Sequence, residues 1–204
     1  MKLEPLEKRG KFIVLYGANN LGKSTQMKLL ASRLIKDSRQ LLSLKYPIYG
    51  LEPTGPIVND ILRGDKVKKE NMTESDVQKV FAQNRRDFQD ILITLLNSNI
   101  NIAAEDYTHT GTAWGMTRGL DFDELRDINK DLLIPDLEIL MDGERFLTAI
   151  EKNHRNENST KDWNLSRDIY KDLAKIYEWP IINANQSIES VHNDIWKYIE
   201  RIFS

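Results

Sequence analysis

Phe12-Ile13-Val14-Leu15-Tyr16 runs directly into Gly17-Ala18-Asn19-Asn20-Leu21-Gly22-Lys23-Ser24, and the reading of this stretch decides the fold. An unbroken apolar run of this length reads as a strand buried on both faces, as in a parallel sheet. The segment after it matches G-x-x-x-x-G-K-[ST], and Leu29, Leu30 and Leu34 then continue at helical spacing. Strand, glycine loop and helix in that order make a phosphate cradle. Gly17 and Gly22 permit backbone angles that aim successive amides inward. The helix starting near Lys23 adds its N-terminal dipole. Lys23 is expected against the β and γ phosphates of a nucleotide and the Ser24 hydroxyl on Mg²⁺, with Asn20, Leu21 and Thr25 in the same cradle.

Outward from this stretch, Leu41–Tyr46 (LLSLKY), Ile100–Glu105 (INIAAE), Leu137–Met141 (LEILM) and Pro180–Asn183 (PIIN) read as four more strands. Val77, Val80, Phe81, Phe88, Ile91, Leu92 and Leu95 mark a long helix, opened by Thr73-x-x-Asp76 as a capping-box variant. Val191, Ile195, Trp196, Ile199 and Ile202 mark the last helix. Strands alternating with helices predict βαβ units. The expected fold is α/β, a three-layer P-loop NTPase architecture with one five-stranded, mainly parallel sheet, in a single domain over 1–204. The polar run Asn153–Asp162 (NHRNENSTKD) breaks the helical pattern and is expected to form a short lid.

Apolar residues at 40% and charged residues at 29% suit a globular domain with one core. A formal charge of -2 gives no global attraction to a nucleic acid polymer or an anionic membrane. The absence of cysteine excludes disulfides and Cys-ligated metals. His109, His154 and His192 are too scattered along the chain to suggest a metal centre. No apolar run approaches the ~18 residues needed to span a bilayer. Met1–Gly10 lacks the apolar core of a secretory signal, so the cytoplasm is the expected location.

Further segments extend the pattern. After the second strand come Tyr46-Pro47 and Glu52-Pro53-Thr54-Gly55-Pro56, with Arg63 downstream. The long helix carries Phe81-Ala82-Gln83-Asn84-Arg85. The third strand ends in Glu105-Asp106-Tyr107, followed by Thr110-Gly111-x-Ala113-Trp114, and Asn183-Ala184-Asn185 and Val191 stand near the C-terminus. With the glycine loop, this ordered set resembles the thymidylate kinase family of the nucleoside monophosphate kinase group, over about Gly10 to Ile202. No one of these segments is specific; their order is.

The resemblance implies phosphoryl transfer from ATP to dTMP with Mg²⁺, and a homodimer packed through the long helices. It also implies roles. Phe81 stacks on the acceptor pyrimidine, although by pattern alone it also suits a core position of an amphipathic helix. Arg85, one turn on, donates to a base carbonyl. Arg63 grips the acceptor phosphate through its guanidinium. Thr110 and Gly111 line the base and sugar, and Trp114 lies against the sugar's 2′ carbon, favouring deoxyribose. Tyr46, Pro47 and Tyr107 belong to the same acceptor side, and Asn185 to the ATP side. Glu105, at the carboxyl edge of a buried strand, holds Mg²⁺ or orients the phosphates. Some members carry an arginine in the phosphate loop where this chain has Asn20. The catalytic cation is then expected from the lid as Arg155, with Lys152, Lys161 and Arg145 as alternatives.

Two positions depart from the pattern. Asp106 replaces the family's phosphate-binding arginine, and Asn19 replaces a loop carboxylate that contacts the acceptor sugar. Asn19 still hydrogen-bonds a hydroxyl. Asp106 beside a monophosphate is repulsive unless a metal or a cation such as Arg85, Arg118 or Arg63 intervenes. The alternatives are a kinase of another nucleotide or of a nucleoside, with Asp106 as base, and a non-catalytic nucleotide-binding regulator.

Overall fold

The computed structural model describes residues 9–147, 151, 154–157 and 159–203. Strand β1 (Phe12–Tyr16) is buried along its whole length. Its side chains alternate between two cores, as a strand with helices on both faces requires. Phe12, Val14 and Tyr16 pack with Leu92, Leu96, Ala113, Tyr170 and Leu173, whereas Ile13 and Leu15 pack with Met27, Leu30, Leu34, Ile195 and Ile199.

The other strands are β2 (Leu41–Lys45), β3 (Asn101–Glu105), β4 (Leu137–Asp142) and β5 (Ile181–Asn183). Their order is β2-β3-β1-β4-β5, and every pairing is parallel. The expected five-stranded sheet is therefore observed, with ends shifted by a residue or so. Helices α1 (Lys23–Lys36) and α8 (Ile188–Arg201) cover one face. Helices α4 (Glu74–Asn97), α5 (Thr108–Thr117) and α7 (Thr160–Ile176) cover the other, and α2 (Thr54–Arg63), α3 (Lys66–Lys69) and α6 (Phe122–Ile128) are shorter. Among the described residues no helix is long and apolar enough to cross a membrane.

The predicted start of α4 is met: Thr73 Oγ1 accepts from the Asp76 amide at 3.1 Å, and Asp76 Oδ2 accepts from the Thr73 amide at 3.0 Å. Helix α1 begins differently, after Gly22 at φ 84° with no side-chain cap. A helix start without a side-chain cap offers its first backbone N–H groups to an anion. The polar run expected as a lid divides: residues 154–157 form a turn, and Thr160–Asp162 already belong to α7, capped by Ser159. Lys152, Asn153 and Asn158 lie outside the described residues.

Candidate active site

The carboxyl ends of β1 and β3 point at one crevice, where parallel sheets of this kind bind ligands. Gly17 leaves β1 at φ 146°, and a Cβ there would fall 2.4 Å from the Met141 carbonyl oxygen, so only glycine turns here. Lys23 folds back over the loop and donates to the carbonyls of Gly17 at 2.7 Å and Ala18 at 3.2 Å. Ser24 Oγ donates to Glu105 Oε2 at 2.6 Å, and Lys45 Nζ donates to Glu105 Oε1 at 3.0 Å. Burial would raise the Glu105 carboxyl, but Lys23, Lys45 and the Ser24 hydroxyl together hold it below its ordinary range.

A cavity of about 750 Å³ spreads from this loop, within the size range of small-molecule sites. Asn19, Asn20, Leu21, Gly22, Lys23, Ser24 and Thr25 line one end. Tyr46, Pro47, Arg63, Phe81, Arg85, Asp106, Tyr107, Thr110, Gly111 and Trp114 line the remainder, with Glu105 between and Arg155 on the wall. Gly17 lies under the loop, serving as a carbonyl for Lys23. Asn185 is not on the cavity wall: its side chain is exposed and bonds the Glu144 backbone, while its neighbours Ala184 and Gln186 line the cavity.

Asp106 has φ 64°, accepts from Thr110 Oγ1 at 3.0 Å and lies 3.7 Å from Lys23 Nζ. Burial pushes its carboxyl up, Lys23 pulls it down and Glu105 adds to the rise; the net direction is upward. The arginines expected to pair with it are engaged elsewhere. Arg85 donates to Asn129 Oδ1 at 2.7 Å and to the Tyr107 carbonyl at 3.4 Å, Arg63 makes a bidentate pair with Glu151, and Arg118 reaches toward Glu74 at 4.0 Å. The charge reversal at Asp106 is answered by the phosphate-loop lysine instead.

Arg155 Nη2 donates to Glu74 Oε2 at 2.6 Å, and its backbone amide bonds the Leu62 carbonyl at 2.8 Å. Glu157 accepts from the side-chain Nδ2 groups of Asn19 and Asn20, each at 3.0 Å, tying this segment to the loop. Arg145 lies 3.7 Å from Glu157, and Lys161 is an exposed residue of α7 off the cavity wall. Glu151, His154 and Glu157 bring ligand-type atoms within 4.8 Å of one another. Each is already occupied: Glu151 by Arg63, Glu157 by the side chains of Asn19 and Asn20, and His154 Nδ1 by the Asn156 backbone amide at 3.2 Å.

Lys45, Glu74, Gln78 and Glu157 are cavity residues that the sequence reading missed. Lys45 ends β2 at the ligand-binding edge, a position available as a signal, whereas Gln78, one helical turn before Phe81 on α4, carries no such signal by residue type.

A parallel sheet with a phosphate loop at the end of its central strand and a second, aromatic- and arginine-lined compartment beside it defines the P-loop kinases. A family-wide profile of thymidylate kinase matches residues 15–195, and the chain belongs to the thymidylate kinase family. It is 30% identical to the thymidylate kinase of Dictyostelium discoideum, over 92% of this chain and 84% of that one. It is also 30% identical to a probable thymidylate kinase of Thermococcus kodakarensis, over 94% and 98%. A solved thymidylate kinase of Candida albicans shares the fold with a TM-score of 0.79 at 21% identity, covering 95% of this chain and 92% of that one.

Proposed function

We propose that this chain transfers the γ-phosphoryl group of ATP to dTMP, releasing ADP and dTDP. The observation that carries the reading is one continuous cavity with the phosphate loop at one end and Phe81, Arg85 and Trp114 at the other. Such a cavity lets a donor and a nucleotide acceptor meet without water between them. An acceptor phosphate oxygen attacks the γ-phosphorus in line as the bond to the β-bridging oxygen breaks. Lys23 neutralises charge on the β and γ phosphates, and Arg155 leaves Glu74 to do so from the opposite side. Arg63 exchanges Glu151 for the acceptor phosphate. Phe81 stacks on the base, Arg85 donates to it, and Trp114 crowds the 2′ position.

Ser24 and Glu105 present a hydroxyl and a carboxylate 2.6 Å apart, a hard-oxygen pair that suits Mg²⁺. When bound, the ion screens the phosphate charge. The chain is proposed to work as one cytoplasmic kinase domain, closed over ATP by the segment around residues 154–157. A homodimer packed through α4 is part of the same reading and rests on the family resemblance alone. The test is an acceptor screen with ATP and Mg²⁺, reading ADP release. Turnover with dTMP well above other monophosphates and above thymidine is expected; turnover with dTMP no faster than without acceptor refutes the reading. A preference for thymidine would favour a nucleoside kinase with the buried Asp106 as its base.

A further inference from the structure

Gln78 is 3% exposed and faces the cavity from α4. Phe81 and Arg85 follow it at helical spacing, so the three share one face. Gln78 Nε2 donates to Glu74 Oε1 at 2.8 Å, and Glu74 is held in turn by Arg155 at 2.6 Å. A carboxylate only accepts, so this bond fixes the carboxamide with its nitrogen toward Glu74 and its oxygen away. That oxygen is buried and has no hydrogen-bond partner among the described residues; the same is true of Arg85 Nε. Leaving such groups unpaired costs about 1–3 kcal/mol each, so a ligand that pairs them is strongly selected.

The Gln78 oxygen and the outer nitrogens of the Arg85 guanidinium meet at Gly111. A Cβ on that residue would lie 3.0 Å from Gln78 Oε1 and 3.2 Å from Arg85 Nη2. An acceptor and a donor therefore stand side by side against Gly111, on the helix face that also carries Phe81.

We propose that Gln78 is a specificity residue that reads the imide edge of the acceptor base. The inference rests on the reading of the chain as a thymidylate kinase. The N3–H of thymine donates to Gln78 Oε1 while its neighbouring C4 carbonyl accepts from the Arg85 guanidinium. A cytosine ring reverses both: its N3 lone pair faces the Gln78 oxygen and its amino group faces the guanidinium. Neither buried group is then satisfied. Sites built to hydrogen-bond a substrate reject analogues lacking the bond by ~10⁴-fold or more.

The test compares dTMP with 5-methyl-dCMP, which differs from it only along this edge, in the wild type and in Gln78→Met. The wild type is expected to prefer dTMP by ~10³-fold or more in kcat/KM. In Gln78→Met the dTMP value should fall ~30-fold, mostly through KM, with the KM for ATP unchanged and the preference reduced to ~30-fold. A preference within threefold of wild type in a folded variant overturns the proposal. If that variant does not fold, the wild type decides through the N3 imino proton of bound ¹⁵N-labelled dTMP. A downfield signal slow to exchange with water supports the assignment; exchange at the rate of free dTMP overturns it. Absence of turnover with either nucleotide, with ATP still bound, is a different result: it refutes the functional reading itself.

Discussion

The two ends of the cavity are built in different ways. The ATP end comes from one contiguous loop whose backbone does the work, with Gly17 and Gly22 at positive φ and Lys23 bound to the loop's own carbonyls. The acceptor end comes from side chains that α2, α4, α5 and the segment near Arg155 bring together. A backbone cradle recognises what all nucleoside triphosphates share, and a side-chain assembly recognises what distinguishes one acceptor from another. Damage to the first should lower every activity alike, whereas damage to the second should redistribute activity among acceptors.

Lys23→Ala is the most severe break. It removes the phosphate cation and leaves Asp106 buried without its partner at 3.7 Å. Phosphoryl transfer should fall ~10³-fold or more for every acceptor, measured as acceptor-dependent ADP release. Arg155→Ala should lower kcat ~10²-fold with little change in the KM for ATP, because its charge matters at transfer rather than in binding. A loss confined to KM would move Arg155 out of the catalytic role.

Gly111→Ala sharpens the comparison on the acceptor side alone. The new methyl group falls 3.0 Å from Gln78 Oε1 and should raise the KM for dTMP ~10-fold while ATP affinity, measured by calorimetry, stays constant. The smallest effect belongs to neither end. Glu138 accepts from Tyr16 and Trp179, and burial pushes its carboxyl up to about 7 from 4.5. Its raised folded value means that its contribution is fully present below the unfolded value and is lost as pH rises to about 7. Glu138→Gln should therefore gain stability relative to wild type between pH 5 and 8, by on the order of 1–3 kcal/mol, read as a pH-dependent difference in Tm. Acceptor preference should not change.

The same contrast explains what could be read from the sequence. The phosphate loop was legible because its residues are contiguous and its strand and helix flank it directly. Phe81 and Arg85 were legible because four residues is one helical turn. Gln78 was not: at its position a glutamine reads as an ordinary solvated helix residue, and its meaning arises only where Gly111 of α5 and Glu74 meet it. The partner of Asp106 was misjudged for a similar reason. Arg85, Arg63 and Arg118 are held by Asn129, Glu151 and Glu74, all far away in sequence, and Lys23 stands 3.7 Å from Asp106 instead. The lid boundary was missed because Ser159 caps α7 inside a run that composition alone assigns to loop.

One feature recurs around the cavity: Lys23 faces Asp106, Lys45 faces Glu105, Arg63 faces Glu151, Arg145 faces Glu157 and Arg155 faces Glu74. Each cation that awaits phosphate already has a tenant. A nucleotide therefore enters by eviction, and each displaced carboxylate must find water or another donor. Stray anions with only charge to offer, such as chloride or a passing polymer backbone, gain little from such an exchange. The pocket sets an entrance threshold for anions before any base is read.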